Sequence, residues 1–420
     1  MKFSRRTVMQ FLGAGALTPA AQLPLAAAQV PPPPKEGKDT PKIAVGTGDG
    51  GGFGGGRGGA GRGGAAPGSA TPGAAAPAGA ASNTPPDPSL GPRRIKQLGV
   101  DNVLGGGGPA PWTEESLNAT TERWKAAGIT VGNLMINLSG DIIYGKAGNK
   151  RDEDIEKIKQ SVVAAGKVGL PVVEYNFYAH RAMEGYFEET DTARGNSGWT
   201  GFDYELVQTA AQQYQAKAEE KGMKFKDLPA LPNEGAHNLD EMWNNITYFL
   251  KAVIPAAEKA GVRMALHPND PPAPISRGSQ QIMGSVAGWK KLISIVNSPS
   301  NGITFDCGVT REMGEDPIEV CRYFASRDRI NHVHFRNVQV IKPYERYREV
   351  WIDEGMNNMF AVMKELVKHK YSHQIYPEHP RRLDYDVERG PIGGYPGGGS
   401  YAAIAYNVGY ARAMLQAAMS

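Results

Sequence analysis

Four short stretches bring histidine and carboxylate to the ends of apolar runs. They read Ala265-Leu266-His267-Pro268-Asn269-Asp270, Thr304-Phe305-Asp306-Cys307-Gly308, His332-Val333-His334-Phe335-Arg336-Asn337 and Tyr376-Pro377-Glu378-His379-Pro380. One group from each, His267, Asp306, His334 and Glu378, makes a mixed nitrogen–oxygen donor set. Such a set suits a divalent first-row ion such as Mn2+, Fe2+ or Co2+ and leaves positions open for substrate oxygens. Structural zinc draws more heavily on sulfur. Cys307 competes with Asp306 as the third donor. Adjacent residues of a strand face opposite sides, so only one points inward, and the carboxylate matches the neighbouring donors. Taken singly, a strand-end histidine is more often a hydrogen-bonded structural group, and a glutamate before a loop is usually solvated. The signal is that four successive runs agree. His332 shares the inward face with His334 but lies a layer deeper, which suits a buried supporting residue.

For these groups to meet, the runs that carry them must lie side by side and end on one rim. Short β-rich runs at 42–46, 100–104, 129–136, 172–177, 263–267, 303–306, 330–335 and 374–378 supply the strands. Helical patterns follow most of them: a helix capped by Thr113, then 151–168, 239–260 and a closing helix over 400–418. In the third of these, Trp243, Ile246, Phe249, Leu250, Val253 and Ile254 form an apolar face at helical spacing. Alternating strands and helices predict an α/β fold with a parallel sheet, and eight such units predict a (β/α)8 barrel. Barrel enzymes place their chemistry at the C-terminal ends of the strands, where the four motifs fall. Residues 178–238 are too long for an ordinary connection and read as an active-site cover carrying Tyr186, Phe187, Trp199 and Phe202. His180, at the start of that segment, is a candidate substrate contact.

The chain has 420 residues, with 53 Gly, 31 Pro, two Cys and a formal net charge of +3. Residues 48–90 are nearly all Gly, Ala, Pro, Ser and Arg, and too few large apolar side chains are present to offset the entropy of ordering them. Placing this stretch as an insertion after the first strand, rather than as a linker before the domain, is what brings the strand count to eight. Its arginines, Arg57 and Arg62, are too sparse for a nucleic-acid footprint. Two cysteines, Cys307 and Cys321, make no disulfide framework. Residues 1–28 have a basic start, an apolar middle and small residues at Ala26-Ala27-Ala28. The Ser4-Arg5-Arg6 run ahead of Val8, Met9, Phe11 and Leu12 reads as a twin-arginine signal, with Val8 and Gln10 departing from the usual pattern. The expectation is therefore a signal over 1–28, a linker over 29–40 and a catalytic barrel over 41–420. It includes passage through the twin-arginine export machinery to the periplasm or medium, and no membrane span. A homo-oligomer is compatible with the sequence.

Over residues 90–420, apart from portions of 178–238, the chain resembles the mannonate dehydratase family within the xylose isomerase-like barrel group. The resemblance rests on the run from Trp243 to Pro255, on His267-Pro268-Asn269-Asp270-Pro271-Pro272 and on Asn301-Gly302-Ile303-Thr304-Phe305. It rests also on His334-Phe335-Arg336-Asn337-Val338 and on Tyr175-Asn176-Phe177. The family binds Mn2+ or Fe2+ through His, Cys, His and Asp. His267 and His334 match directly, while Asp306 stands at the Cys position and Glu378 at the Asp position. Carboxylate in place of thiolate hardens the site toward Mn2+ or Mg2+. The resemblance implies dehydration of D-mannonate to 2-keto-3-deoxy-D-gluconate. One group takes the C2 proton and another helps the C3 hydroxyl leave. His379 matches a histidine implicated in that acid–base work, and Tyr395, in Gly393-Gly394-Tyr395-Pro396, matches the family's catalytic tyrosine, with Tyr401 as competitor. Which of the pair is acid and which is base stays open. Arg336, Asn337 and Asn176 are the expected substrate-binding residues, with Arg336 offering a planar fork for a carboxylate or else forming a salt bridge at the rim. The ligand changes also point toward a metal-dependent sugar isomerase, epimerase or related lyase. A non-enzymatic alternative is an exported sugar-binding barrel, which needs neither metal nor an acid–base pair.

Overall fold

The computed structural model describes residues 32–48, 89–146, 148–178, 185–189, 192–209, 235–273, 275–276, 278–388 and 400–420. The expected 1–28 signal, residues 49–88 of the expected Gly-rich insertion, His180 and Tyr395 lie outside the described residues.

Eight parallel strands close a barrel: β1 (Lys42–Gly46), β2 (Asn102–Gly106), β3 (Thr130–Ile136), β4 (Val172–Tyr175), β7 (Arg263–Leu266), β10 (Asn301–Asp306), β11 (Ile330–His334) and β14 (Gln374–Tyr376). The first strand completes the ring, since Lys42 pairs with Gln374 on one side and Ala44 with Asn102 on the other. The expected strand positions hold to within about two residues. His267 and Glu378, placed inside strands by the sequence reading, stand one and two residues past them.

Helices wrap the barrel: α1 (Leu90–Gln97), α2 (Glu114–Ala126), α3 (Lys150–Lys167), α4 (Leu239–Ala260), α5 (Val286–Ile295), α6 (Pro317–Ala325), α7 (Met359–Lys368) and α8 (Tyr401–Met419). The start and stop of α4 show how local chemistry sets them. The Asn238 side chain accepts from Glu241 N, and Glu241 reaches back to the Asn238 amide, so two otherwise orphaned donors are satisfied. Gly261 ends the helix at φ 68, where a side chain would be strained. Trp243, Ile246, Phe249, Leu250, Val253 and Ile254 are all buried against the barrel. No described helix is long and apolar enough to cross a membrane.

The 178–238 segment is not the plain loop the sequence suggests. Its described parts contain β5 (Tyr186–Glu189) and β6 (Trp199–Asp203). These join β12 (Val338–Lys342) and β13 (Arg346–Glu349) in an antiparallel sheet of order β12-β13-β6-β5. Phe202, Val207, Ala273 and Tyr347 form a small apolar core of this sheet, separate from the barrel core.

Candidate metal and acid–base site

The C-terminal ends of β7, β10 and β11 bring His267, Asp306 and His334 together, with one donor atom from each lying within 4.8 Å of the others. His267 Nε2 faces His334 Nδ1 at 3.2 Å. Asp306 Oδ2 lies 3.7 Å and Glu378 Oε1 2.8 Å from the same His334 nitrogen. Cys307, the competing donor, begins a one-turn helix and is buried; it takes no place in this group, and burial pushes its thiol up.

The partners on the far sides of the two rings test whether a cation fits. His267 Nδ1 lies 2.7 Å from the Pro268 carbonyl, so that nitrogen carries the proton and Nε2 presents its lone pair. His334 Nε2 faces Glu174 Oε1 at 3.5 Å, so a cation held at Nδ1 would leave the ring's proton on Nε2, toward that carboxylate. Two ring nitrogens 3.2 Å apart, flanked by two buried carboxylates, are an arrangement that suits a shared divalent cation. Without a cation, burial disfavours the His334 charge, yet Glu378, Asp306 and Glu174 hold its pKa well above the ordinary value. Burial likewise opposes ionisation of Glu378, but His334 and His379 bring its pKa down to about 2.

Glu174 is itself fully tied. Its Oε2 accepts from Asn133 Nδ2 at 2.9 Å and its Oε1 from Thr304 Oγ at 2.8 Å. His332 lies beside His334, with ring centroids 5.1 Å apart, and burial lowers its pKa to about 4. Neither of its ring nitrogens finds a hydrogen-bond partner among the described residues.

Of the two roles expected for Arg336, the structure shows the salt bridge, buried and not out at the rim. It is 1% exposed and surrounded by carboxylates. Its Nε donates to Asp306 at 3.1 Å and its Nη1 to Glu312 at 2.8 Å, while Nη2 lies 3.4 Å from Asp270. It neutralises the acidic floor of the site instead of reaching into solvent for a substrate carboxylate. Asn337 is also committed. Its amide nitrogen donates to the Ile352 and Asn357 carbonyls, and its oxygen accepts from the Val338 and Asn357 amides. That pattern fixes the chain after β11 and leaves the side chain nothing for a ligand. Asn176 differs: its Oδ1 is buried and has no hydrogen-bond partner among the described residues. Tyr401 begins its helix behind the Ser400 cap, and its hydroxyl donates to the Arg94 carbonyl at 2.9 Å.

His379 follows Glu378 with its backbone at φ +49, in the left-handed region where a β-carbon is strained. Its Nδ1 lies 3.0 Å from Glu349 Oε1, at the end of β13, and its Nε2 lies 3.6 Å from Glu378 Oε2. Burial opposes its charge, but Glu349 and Glu378 raise its pKa overall.

Comparison with known proteins connects this rim to a family. The family described as D-mannonate dehydratase (UxuA) matches residues 86–420. The chain belongs to the D-mannonate dehydratase family. Mannonate dehydratase of Streptococcus equi subsp. zooepidemicus is 30% identical over 286 residues, covering 67% of this chain and 78% of that protein. Mannonate dehydratase 2 of Halalkalibacterium halodurans is 27% identical over 298 residues, 65% of this chain and 80% of that one. The solved mannonate dehydratase from Streptococcus suis serotype 2 superposes with a TM-score of 0.62 at 26% identity, covering 77% of this chain and 90% of that structure.

The donor set gathered at this rim is rich in oxygen, with Asp306 and Glu378 beside the two histidines. Sequence reasoning missed Glu174 and Glu349. A lone carboxylate inside the apolar run Val172-Val173-Glu174-Tyr175 was a visible signal for the first. Glu349 had none, because its neighbours in space come from the barrel and from a sheet that the sequence did not reveal.

Proposed function

We infer that this chain is a metal-dependent hydro-lyase that removes water from a sugar acid, converting D-mannonate to 2-keto-3-deoxy-D-gluconate. The observation that carries the reading is the convergence of His267, Asp306 and His334 on one point, with Glu378 against it, at the strand ends of a barrel matched by that family. A bound divalent cation would stabilise the negative charge that develops on the substrate as the C2 proton leaves. The carboxylate-rich donor set supports Mn2+ first, with Fe2+, Mg2+ and Co2+ as weaker fits.

The protein's own groups do the rest. His379 exchanges a proton with the substrate through Nε2, because Nδ1 is engaged by Glu349. Tyr395 is the partner for the second proton transfer on the strength of the sequence resemblance. The unpartnered Asn176 oxygen is an acceptor for a substrate hydroxyl. Arg336 helps keep Asp306 ionised: burial opposes the charge, but the guanidinium together with His334 and His267 more than offsets it. The Ser4-Arg5-Arg6 run supports export through the twin-arginine route and a periplasmic or secreted enzyme.

The test is turnover by purified, Mn2+-loaded protein offered D-mannonate and, separately, ketoses. The expected result is a 2-keto-3-deoxy acid from mannonate alone, lost on chelation, with His379→Ala slower by roughly 10²–10⁴-fold. Ketose isomerisation without dehydration, or undiminished turnover by His379→Ala, would overturn the reading.

A further inference from the structure

Glu349 is a buried carboxylate with few ties. It is 1% exposed, and apart from the His379 contact neither of its oxygens accepts a hydrogen bond from a described residue. Its close charged neighbours are His379 Nδ1 at 3.0 Å and Arg336 Nη1 at 3.8 Å. Burying a carboxylate is costly unless hydrogen bonds and opposite charge repay the lost hydration. Glu174 meets that cost with Asn133 and Thr304. Glu349 lacks such neutral donors and relies on opposite charge, His379 first and then Arg336 and Arg381, which singles out the His379 contact.

The main chain around Glu349 is held firmly, which aims the side chain. Glu349 pairs with Val338 on one side and Thr200 on the other. Its carbonyl accepts from Arg381 Nη1 at 2.8 Å, and Arg381 Nη2 donates to Thr200 Oγ at 3.1 Å. Arg381 stands two residues after His379, so the cap sheet is clamped to the strand end that carries the histidine. The left-handed backbone of His379 lets consecutive side chains diverge, Glu378 toward His334 and His379 toward Glu349.

We propose that Glu349 is a positioning residue for His379: the carboxylate holds the Nδ1–H side of the imidazole so that Nε2 is presented to the substrate. Glu349 touches neither substrate nor metal and stays ionised throughout. The proton moves between Nε2 and the substrate, while the carboxylate fixes the tautomer and the ring plane. The four-stranded sheet thereby becomes part of the catalytic apparatus, because β6 keeps β13 in register with its Glu349 over the rim. The proposal rests on His379 being a proton-transfer group.

The test compares metal-loaded wild type, Glu349→Gln, His379→Gln and the double variant, with D-mannonate as substrate. Glu349→Gln is expected to lower kcat by roughly 10–100-fold, the usual scale for a supporting partner, with KM and bound metal little changed. The double variant should be no slower than His379→Gln alone, because the two residues act as one unit. In 15N spectra, the His379 ring, assigned by its absence from His379→Gln, should hold one tautomer in wild type and a mixture in Glu349→Gln. Should Glu349→Gln prevent folding, Glu349→Asp keeps the charge, withdraws it by one methylene and carries the same comparison. Losses that multiply in the double variant, or an unchanged tautomer ratio, overturn the positioning role alone. Full turnover by His379→Gln overturns the acid–base reading and this proposal with it.

Discussion

Asp306 serves three neighbours with one carboxylate. Its Oδ1 accepts from Val309 N at 2.8 Å and caps the one-turn helix after β10. Its Oδ2 faces Arg336 Nε at 3.1 Å and the His334 nitrogen at 3.7 Å. Exchanging it for the family's thiolate separates these duties. Asp306→Cys is expected to shift preference from Mn2+ toward Zn2+ or Co2+, with Mn2+ affinity falling by roughly tenfold, since soft sulfur disfavours a hard ion. The lost cap should lower unfolding stability by about 1 kcal/mol. Metal content after dialysis against an equimolar mixture of ions, with a denaturation midpoint beside it, checks both; unaltered selectivity would contradict a donor role for Asp306. The donors were legible because each ends an apolar run, and strand ends of a parallel barrel meet on one rim. For Arg336 the salt bridge was foreseen but not its extent, because a sequence does not show how many carboxylates folding gathers around one guanidinium. Glu312, 24 positions away, is among them, and burial raises its pKa well above the usual value despite that guanidinium.

At the level of elements, what could be read depended on range. The capping residues of α4 and the apolar spacing of its buried face are local, so its bounds agree with expectation. The cap sheet is built from pairs such as Phe202 with Tyr347, separated by well over a hundred residues, and four or five residues of mixed polarity announce no partner. Phe202 is the centre of that small core. It stacks on Tyr347 with centroids 5.2 Å apart and tilts against Tyr186 at the same distance. The sheet reaches the site through Tyr186, whose hydroxyl donates to Asp270 Oδ1 at 2.8 Å and lies 3.1 Å from the Tyr347 hydroxyl. Phe202→Ala removes a buried ring, at a cost of about 3–5 kcal/mol. Because this core is separate from that of the barrel, the cost should be felt locally. Hydrogen exchange is expected to speed up across β5, β6 and β13, while protection in β10 and β11 persists and kcat falls as Glu349 loses its aim. Uniform loss of protection throughout the barrel would show that the cap and barrel open as one unit.

The whole molecule divides its labour between the two ends of the barrel. The C-terminal rim gathers costly groups: buried carboxylates, a histidine at positive φ and two imidazole nitrogens 3.2 Å apart. The opposite end is free to serve stability. Just before β14, at that opposite end, lies His373, whose carbonyl accepts from Lys42 N at 3.0 Å and helps β1 close the ring. Burial, reinforced by the nearby Arg263 charge, lowers the His373 pKa to about 4. The unfolded chain returns that ring to about 6.5. Between those values the unfolded state binds a proton that the folded state refuses, so unfolding free energy falls as pH drops through 6.5 and levels off below about 4. The full effect is at most about 3 kcal/mol, at roughly 1.4 kcal/mol per unit. Urea midpoints of metal-free protein between pH 4 and 7 should therefore slope less steeply for His373→Gln than for wild type. Titration of the metal ligands is common to both proteins and cancels in the difference, so coincident slopes would show that His373 is not what makes the barrel sensitive to acid.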